Sequence, residues 1–135
     1  MSIHPLVEHF YAGIWNAGGE NVGSILTNDF SFRGSLGAVA RGHAEFLNYA
    51  RTVRQSLGNY RCEILDCVTE IPRSFARMHF SGVHVGPFRD FAPTGKPVYW
   101  HGAALFTFRG NYICELWVLG DLAALDERLR GNAVT

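Results

Sequence analysis

Asp121 is the residue of this chain best suited to moving a proton. It follows a strand pattern that carries Glu115 and Trp117, and it stands just before the helix pattern Leu122, Leu125, Leu129. A carboxylate at the end of an aromatic strand is a candidate general base, because burial against a ring disfavours the charged form and lifts its pKa from about 3.9. One such group can take a proton from a carbon beside a carbonyl and later return it to an alkoxide. Asp is also a favoured helix N-cap, and the two roles coexist only if one oxygen stays free. Glu115 has the parity of Trp117 and Asp121 and is a candidate second carboxylate in the same cavity; its ordinary alternative is a cross-strand ion pair with an Arg.

Other side chains could serve such a base. His84 lies in a Gly-x-His-x-Gly segment (82–86), with His79 and His101 on neighbouring strand patterns. A neutral imidazole offers one donor and one acceptor, so His84 and His101 are candidates for holding an enolate oxygen. Trp15, Trp100 and Trp117 are candidate walls for a flat polycyclic ligand, core packing being the alternative for each. Tyr11, one helical step before Trp15, and Asn48, on a later helix, are candidate polar contacts. No metal site is expected: His79 and His84 are an odd number apart and point to opposite faces, and HxH and HExxH are both missing. The Gly34-Ser35-Leu36-Gly37 stretch only superficially matches a nucleophile elbow, and neither GxGxxG nor a Walker loop occurs.

The elements that would position these residues follow from periodicity. Val7, Phe10, Tyr11, Ile14 and Trp15 recur at helical steps, predicting a helix over 4–16 that Gly18-Gly19 ends. A helical turn through Val22, Ile25 and Leu26 and a short strand with Phe30 and Phe32 come next. A long helix over 42–57 carries Phe46, Leu47, Ala50, Val53 and Leu57, and Gly58-Asn59 stops it. Strands are expected over 60–68, 74–85, about 98–108 and 112–119, the third and fourth joined by a Gly110-Asn111 hairpin, and then a closing helix from Asp121. Both faces of the sheet carry apolar residues, so both are expected to be covered. Helices followed by hairpin-connected strands make one α+β domain over 1–135.

Composition excludes several classes. The chain has 135 residues, zero formal net charge, 18% charged residues and no basic cluster, which argues against nucleic acid. Ten Phe, five Tyr and three Trp fit an aromatic core around a small apolar or polycyclic molecule. No apolar run of about 18 residues and no secretion-type start occur, so a cytoplasmic protein without a membrane role is expected. Cys62, Cys67 and Cys114 are an odd set in apolar patterns and read as reduced core residues.

In their order and spacing, several segments resemble the SnoaL-like polyketide cyclases of the NTF2-like superfamily. They are Phe10-Tyr11, Trp15-Asn16, Asn28-Asp29-Phe30, Gly82 to Phe88, Pro93-Thr94-Gly95-Lys96-Pro97-Val98, and Ile113-x-Glu115-x-Trp117-x-x-x-Asp121. The resemblance implies a cone-shaped α+β barrel, with a curved, mostly antiparallel sheet around the N-terminal helices and a pocket at one end. It also implies that Asp121 is the acid/base of an intramolecular aldol ring closure needing neither metal nor cofactor. The chain departs from the family at Arg128-Leu129-Arg130-Gly131, where Gln-Leu-Gly is common, and at the Gly110-Asn111-Tyr112 hairpin. Related proton transfers, namely an isomerase-like shift or epoxide hydrolysis, and a non-catalytic ligand-binding module are the alternatives. A two-fold homodimer is expected on general grounds.

Overall fold

The computed structural model describes residues 2–16 and 21–134; the expected Gly18-Gly19 stop lies outside them. The chain opens with α1 (Pro5–His9), where Pro5 takes the first helical position and the His4 ring nitrogen accepts the Leu6 N–H. The helix continues as a π-helical turn, Phe10–Trp15, closed by the Asn16 N–H donating to the Tyr11 carbonyl. This widened turn puts Phe10, Tyr11, Ile14 and Trp15 all inside, a grouping that four-residue bonding alone would spread over a wider arc.

After α2 (Val22–Ile25) come β1 (Leu26–Arg33), β2 (Val39–Arg41) and α3 (Gly42–Ser56). Helix α3 buries Phe46, Ala50 and Val53 at helical spacing, and Glu45 reaches back to accept the Arg41 N–H. It gives way to β3 (Leu57–Glu70) one residue before the expected Gly58-Asn59 stop; Asn59 instead sits in the strand with φ 52°, inside a register shift. β4 (Arg73–His84), β5 (Pro97–Arg109) and β6 (Tyr112–Gly120) follow as antiparallel neighbours, and α4 (Leu122–Ala133) ends the chain.

The sheet order is β2-β1-β6-β5-β4-β3, with β1 and β6 parallel and the rest antiparallel. The architecture is α+β, as expected, but the sheet is curved and does not close into a barrel: β2 and β3 remain its two edges. Its inner face carries Ala76, Met78, Phe80 and His84 from β4 and Val98, Trp100, Ala104, Phe106 and Phe108 from β5, all buried. Against this face pack the π-helical turn and α3, while Leu125 and Leu129 of α4 fill its far end.

The outer face departs from expectation. Phe75, Tyr99, Trp117 and Leu119 are 46%, 41%, 46% and 50% exposed, so the apolar residues there are only partly covered, Tyr99 by the Arg128 guanidinium 3.8 Å from its ring centre. No described helix is long and apolar enough to cross a membrane.

Candidate functional site

The inner face of the sheet and the helices over it form a partly open pocket lined by Phe10, Tyr11, Trp15, Phe32, Ser35, Tyr49, Tyr60, Phe80, Leu116 and Val118. Its walls are rings, hydroxyls and two aliphatic side chains, with no charged side chain. The volume open to the centre of a water-sized sphere is about 20 Å³, room for about one water. A larger ligand must therefore displace wall rings as it enters.

Three phenols set the polarity of this space. Burial raises the pKa of Tyr11 and Tyr60 well above the usual 10, and burial raises Tyr49 to about 12. Each is a neutral hydroxyl at ordinary pH. Cys62, buried beside them, is pushed up to about 12 by the same desolvation, so it is a thiol and no nucleophile. The Tyr11 hydroxyl is buried and has no hydrogen-bond partner among the described residues. Trp15 is held from behind by Arg54, whose guanidinium donates to the Ile14 and Trp15 carbonyls at the end of the π-helical turn and lies 5.8 Å from the Trp15 ring centre.

The raised phenol pKa values carry a stability consequence. Because folding holds these groups protonated, their contribution is complete below the unfolded tyrosine value near 10 and is lost as pH rises from there through the folded values. The shift of Tyr49 alone corresponds to about 3 kcal/mol. Denaturant midpoints measured across alkaline pH should stay level to about pH 9.5 and then fall steeply.

Trp15 and Tyr11 line the cavity, and Trp100 packs at its edge. The Trp100 indole N–H donates to Ser35 Oγ at 3.3 Å, and its ring contacts Tyr60, Phe80 and Phe88 at 6.1, 5.4 and 6.1 Å. His84 is buried on the same face, four residues along β4 from Phe80. Trp117, Glu115 and His101 lie elsewhere. Trp117 is on the outer face with the Arg33 guanidinium 5.6 Å from its ring centre, and Glu115 is exposed without an ion pair among the described residues. The reason is a register shift opposite Thr107 and Phe108: Phe108 pairs with Ile113 and Thr107 with Glu115, which turns Ile113 inward and Glu115 and Trp117 outward. His101 is on the outer face too, its ring 5.1 Å from that of His79. Asn48 is exposed on α3, where its Oδ1 accepts from Arg51.

Asp121 caps α4: its Oδ1 accepts the Ala124 N–H at 3.2 Å, and its own N–H donates to the His101 carbonyl at 2.8 Å. Its other oxygen has no hydrogen-bond partner among the described residues. The carboxylate is exposed and does not line this cavity, so the expected burial against Trp117 is not found. It is nonetheless one residue from the cavity's polar edge. Gly120 lies so close to Ser35 and Trp100 that a Cβ there would stand 2.6 Å from the Ser35 carbonyl oxygen and 3.2 Å from the Trp100 indole nitrogen. Only glycine lets β6 pass this close to Ser35, and Asp121 follows it directly in the chain.

Sequence reasoning did not select Ser35, Tyr49 or Tyr60 for the site. Tyr60 carried a partial signal, its shared parity with Cys62 on an expected strand, which does not say which way that face points; the roles of Ser35 and Tyr49 depend on a loop and a helix meeting β5 and β3 in space.

The described residues share their architecture with several solved structures. One is a SnoaL-like polyketide cyclase from Agrobacterium tumefaciens, 17% identical, with TM-score 0.79 over 96% of this chain and 99% of that one. TsrD from Streptomyces laurentii is 25% identical, with TM-score 0.78 over 92% and 91%. A protein of ketosteroid isomerase-like fold from Catenulispora acidiphila, in complex with trimethylamine, is 16% identical, with TM-score 0.78 over 92% and 91%. None of the curated proteins matches the chain. The family model of the SnoaL-like polyketide cyclases matches residues 6–129, nearly all of the α+β unit just described, and the chain therefore belongs to the SnoaL-like polyketide cyclase family, with its NTF2-like fold.

Proposed function

We propose that the protein closes a carbon ring in a polyketide-like ester by intramolecular aldol addition, with Asp121 as acid/base and no metal or cofactor. The observation that carries this reading is the state of the Asp121 carboxylate. One oxygen is fixed by the Ala124 N–H, while the other has no partner among the described residues, and the preceding residue, Gly120, packs against Ser35 in the wall of an aromatic cavity without charged side chains. The free oxygen would take a proton from a carbon flanked by carbonyls. The enolate carbon then attacks a second carbonyl in the same molecule, forming the C–C bond, and the resulting alkoxide takes the proton back from Asp121. Tyr11, a neutral donor without a partner, suits the enolate oxygen, where a hydrogen bond preorganised in a dry site is worth most.

The same Tyr11 hydroxyl also favours a second reading, an isomerase-like double-bond shift, which needs a base and a phenolic donor. The experiment is deuterium uptake from heavy water into a panel of polyketide-type methyl esters and related ketones, comparing the native protein with Asp121→Asn. Ring-closed product, with exchange lost in the variant, supports the cyclase; a shifted double bond supports the isomerase. Binding without exchange by the native protein would leave a ligand-binding module.

We also propose that the exposed outer face, with Phe75, Tyr99, Trp117 and Leu119, meets a second copy of the chain. Sedimentation velocity should show a dimer that Leu119→Lys converts to monomer. A native protein monomeric at micromolar concentration removes this proposal.

A further inference from the structure

The inner face holds a second buried polar group that ring closure by Asp121 does not use. His84 is fully buried, and neither of its ring nitrogens has a hydrogen-bond partner among the described residues. Its backbone is fully engaged: the N–H donates to the Lys96 carbonyl at 3.0 Å, and the carbonyl accepts the Gly95 N–H at 2.8 Å. The strand is thus pinned while the ring is left unserved. A buried imidazole with both donor and acceptor unmet destabilises the fold that holds it, and such groups in native proteins call for a partner.

Its surroundings connect it to the cavity. The His84 ring meets Phe88 at 6.2 Å, Phe88 meets Trp100 at 6.1 Å, and Trp100 meets the cavity-lining rings of Tyr60 at 6.1 Å and Phe80 at 5.4 Å. A continuous series of ring contacts therefore runs from the phenol cluster to His84. His84 lies four residue steps along β4 from Phe80, a span of roughly 13 Å along the strand. Tyr11, in the cavity, and His84, beyond Trp100 and Phe88, are both buried polar side chains without partners. The intervening Trp100 is tied by a single indole hydrogen bond of 3.3 Å to Ser35.

We infer that His84 is a second polar anchor of the ligand site, and that the ligand is an elongated, uncharged aromatic molecule with a hydrogen-bonding oxygen near each end. One oxygen meets the Tyr11 hydroxyl and the other the His84 imidazole, in space opened by movement of the Trp100 and Phe88 rings. An ionised ligand is excluded because no charged side chain lines the cavity to offset its desolvation. This inference rests on reading the cavity as a ligand site, but not on chemistry at Asp121.

The probe is para,para′-dihydroxybiphenyl, with biphenyl as its oxygen-free counterpart, titrated against native protein, His84→Leu and Asp121→Asn by tryptophan fluorescence and calorimetry. The native protein should prefer the diol. His84→Leu should weaken diol binding about tenfold and leave biphenyl binding unchanged, the loss expected for one buried hydrogen bond. Because Leu removes an unmet polar group, the unliganded variant should also melt about 3 to 6 °C above the native protein. Asp121→Asn should bind both probes as the native protein does, which separates this inference from the ring-closure reading. Unchanged diol affinity in His84→Leu, absence of diol binding to the native protein, or a lowered melting temperature in the variant would each overturn it, the last by showing that His84 is served within the fold.

Discussion

Asp121→Asn should reduce proton abstraction about 10²- to 10⁴-fold, the range general acid–base catalysis typically contributes, while leaving the fold as stable as before. The argument depends on what the substitution keeps. Asn is about as good an N-cap as Asp, because its side-chain oxygen can accept the same Ala124 N–H at the start of α4. What it removes is the oxygen that can be deprotonated. A loss of exchange with an unchanged melting temperature therefore reports chemistry and not unfolding. Asp121→Ala is the useful companion. It removes base and cap together, so it should lose the same activity and also about 1 kcal/mol of stability. Should Asp121→Asn exchange protons at the native rate, the base lies elsewhere, and cap formation is all that Asp121 does.

The second large effect is on stability. Phe46→Ala should lower the unfolding free energy by about 3 to 5 kcal/mol, a large share of the roughly 5 to 15 kcal/mol typical of a domain. Phe46 is fully buried on α3 and is the point where helix and sheet meet. Its ring lies 5.7 Å from Phe10, 5.7 Å from Trp15, 5.5 Å from Phe30 and 4.8 Å from Phe32. These neighbours come from the π-helical turn and from β1, so truncation leaves a cavity between three elements and no single one can move to fill it. Phe46→Leu, which keeps most of the volume, should cost well under half as much. Chemical denaturation of both variants checks this. Equal losses would mean that the site collapses freely, and that α3 is held by its other buried residues, Ala50 and Val53. Since Phe32 and Trp15 also line the cavity, Phe46 supports the site from behind, and its loss should loosen ligand binding too.

Much of this architecture was legible because helices and strands leave local periodicities. The apolar spacing from Val7 to Trp15, the Phe46, Ala50, Val53 series and the shared parity of Val98, Trp100, Ala104, Phe106 and Phe108 each depend on residues close in the chain, and each marks a face that the structure buries. Asp121 as the cap of the last helix was readable for the same reason. Two local features broke the pattern without a sequence signal. A register shift between Ile64 and Asp66 puts Cys67 inside and leaves Asp66 and Val68 out, and another turns Ile113 inward while Glu115 and Trp117 face outward. Inserting one unpaired residue reverses every later side chain on a strand, and the partner strand decides where that happens.

The α+β class, the order of the elements, which residues share a face and the position of Asp121 at a helix start all follow from neighbours along the chain, so they were readable before any fold was known. Packing in three dimensions set which sheet face the helices cover, that the six strands curve without closing, and that Tyr11, Tyr49, Tyr60 and Ser35 share one cavity while Trp117, Glu115 and His101 do not. It also decided that His84 is buried without a partner. These depend on strand register and on packing between residues far apart in the chain. With apolar side chains on both faces of the sheet, no local pattern says which face is in; the packing of α3 and the π-helical turn makes that choice.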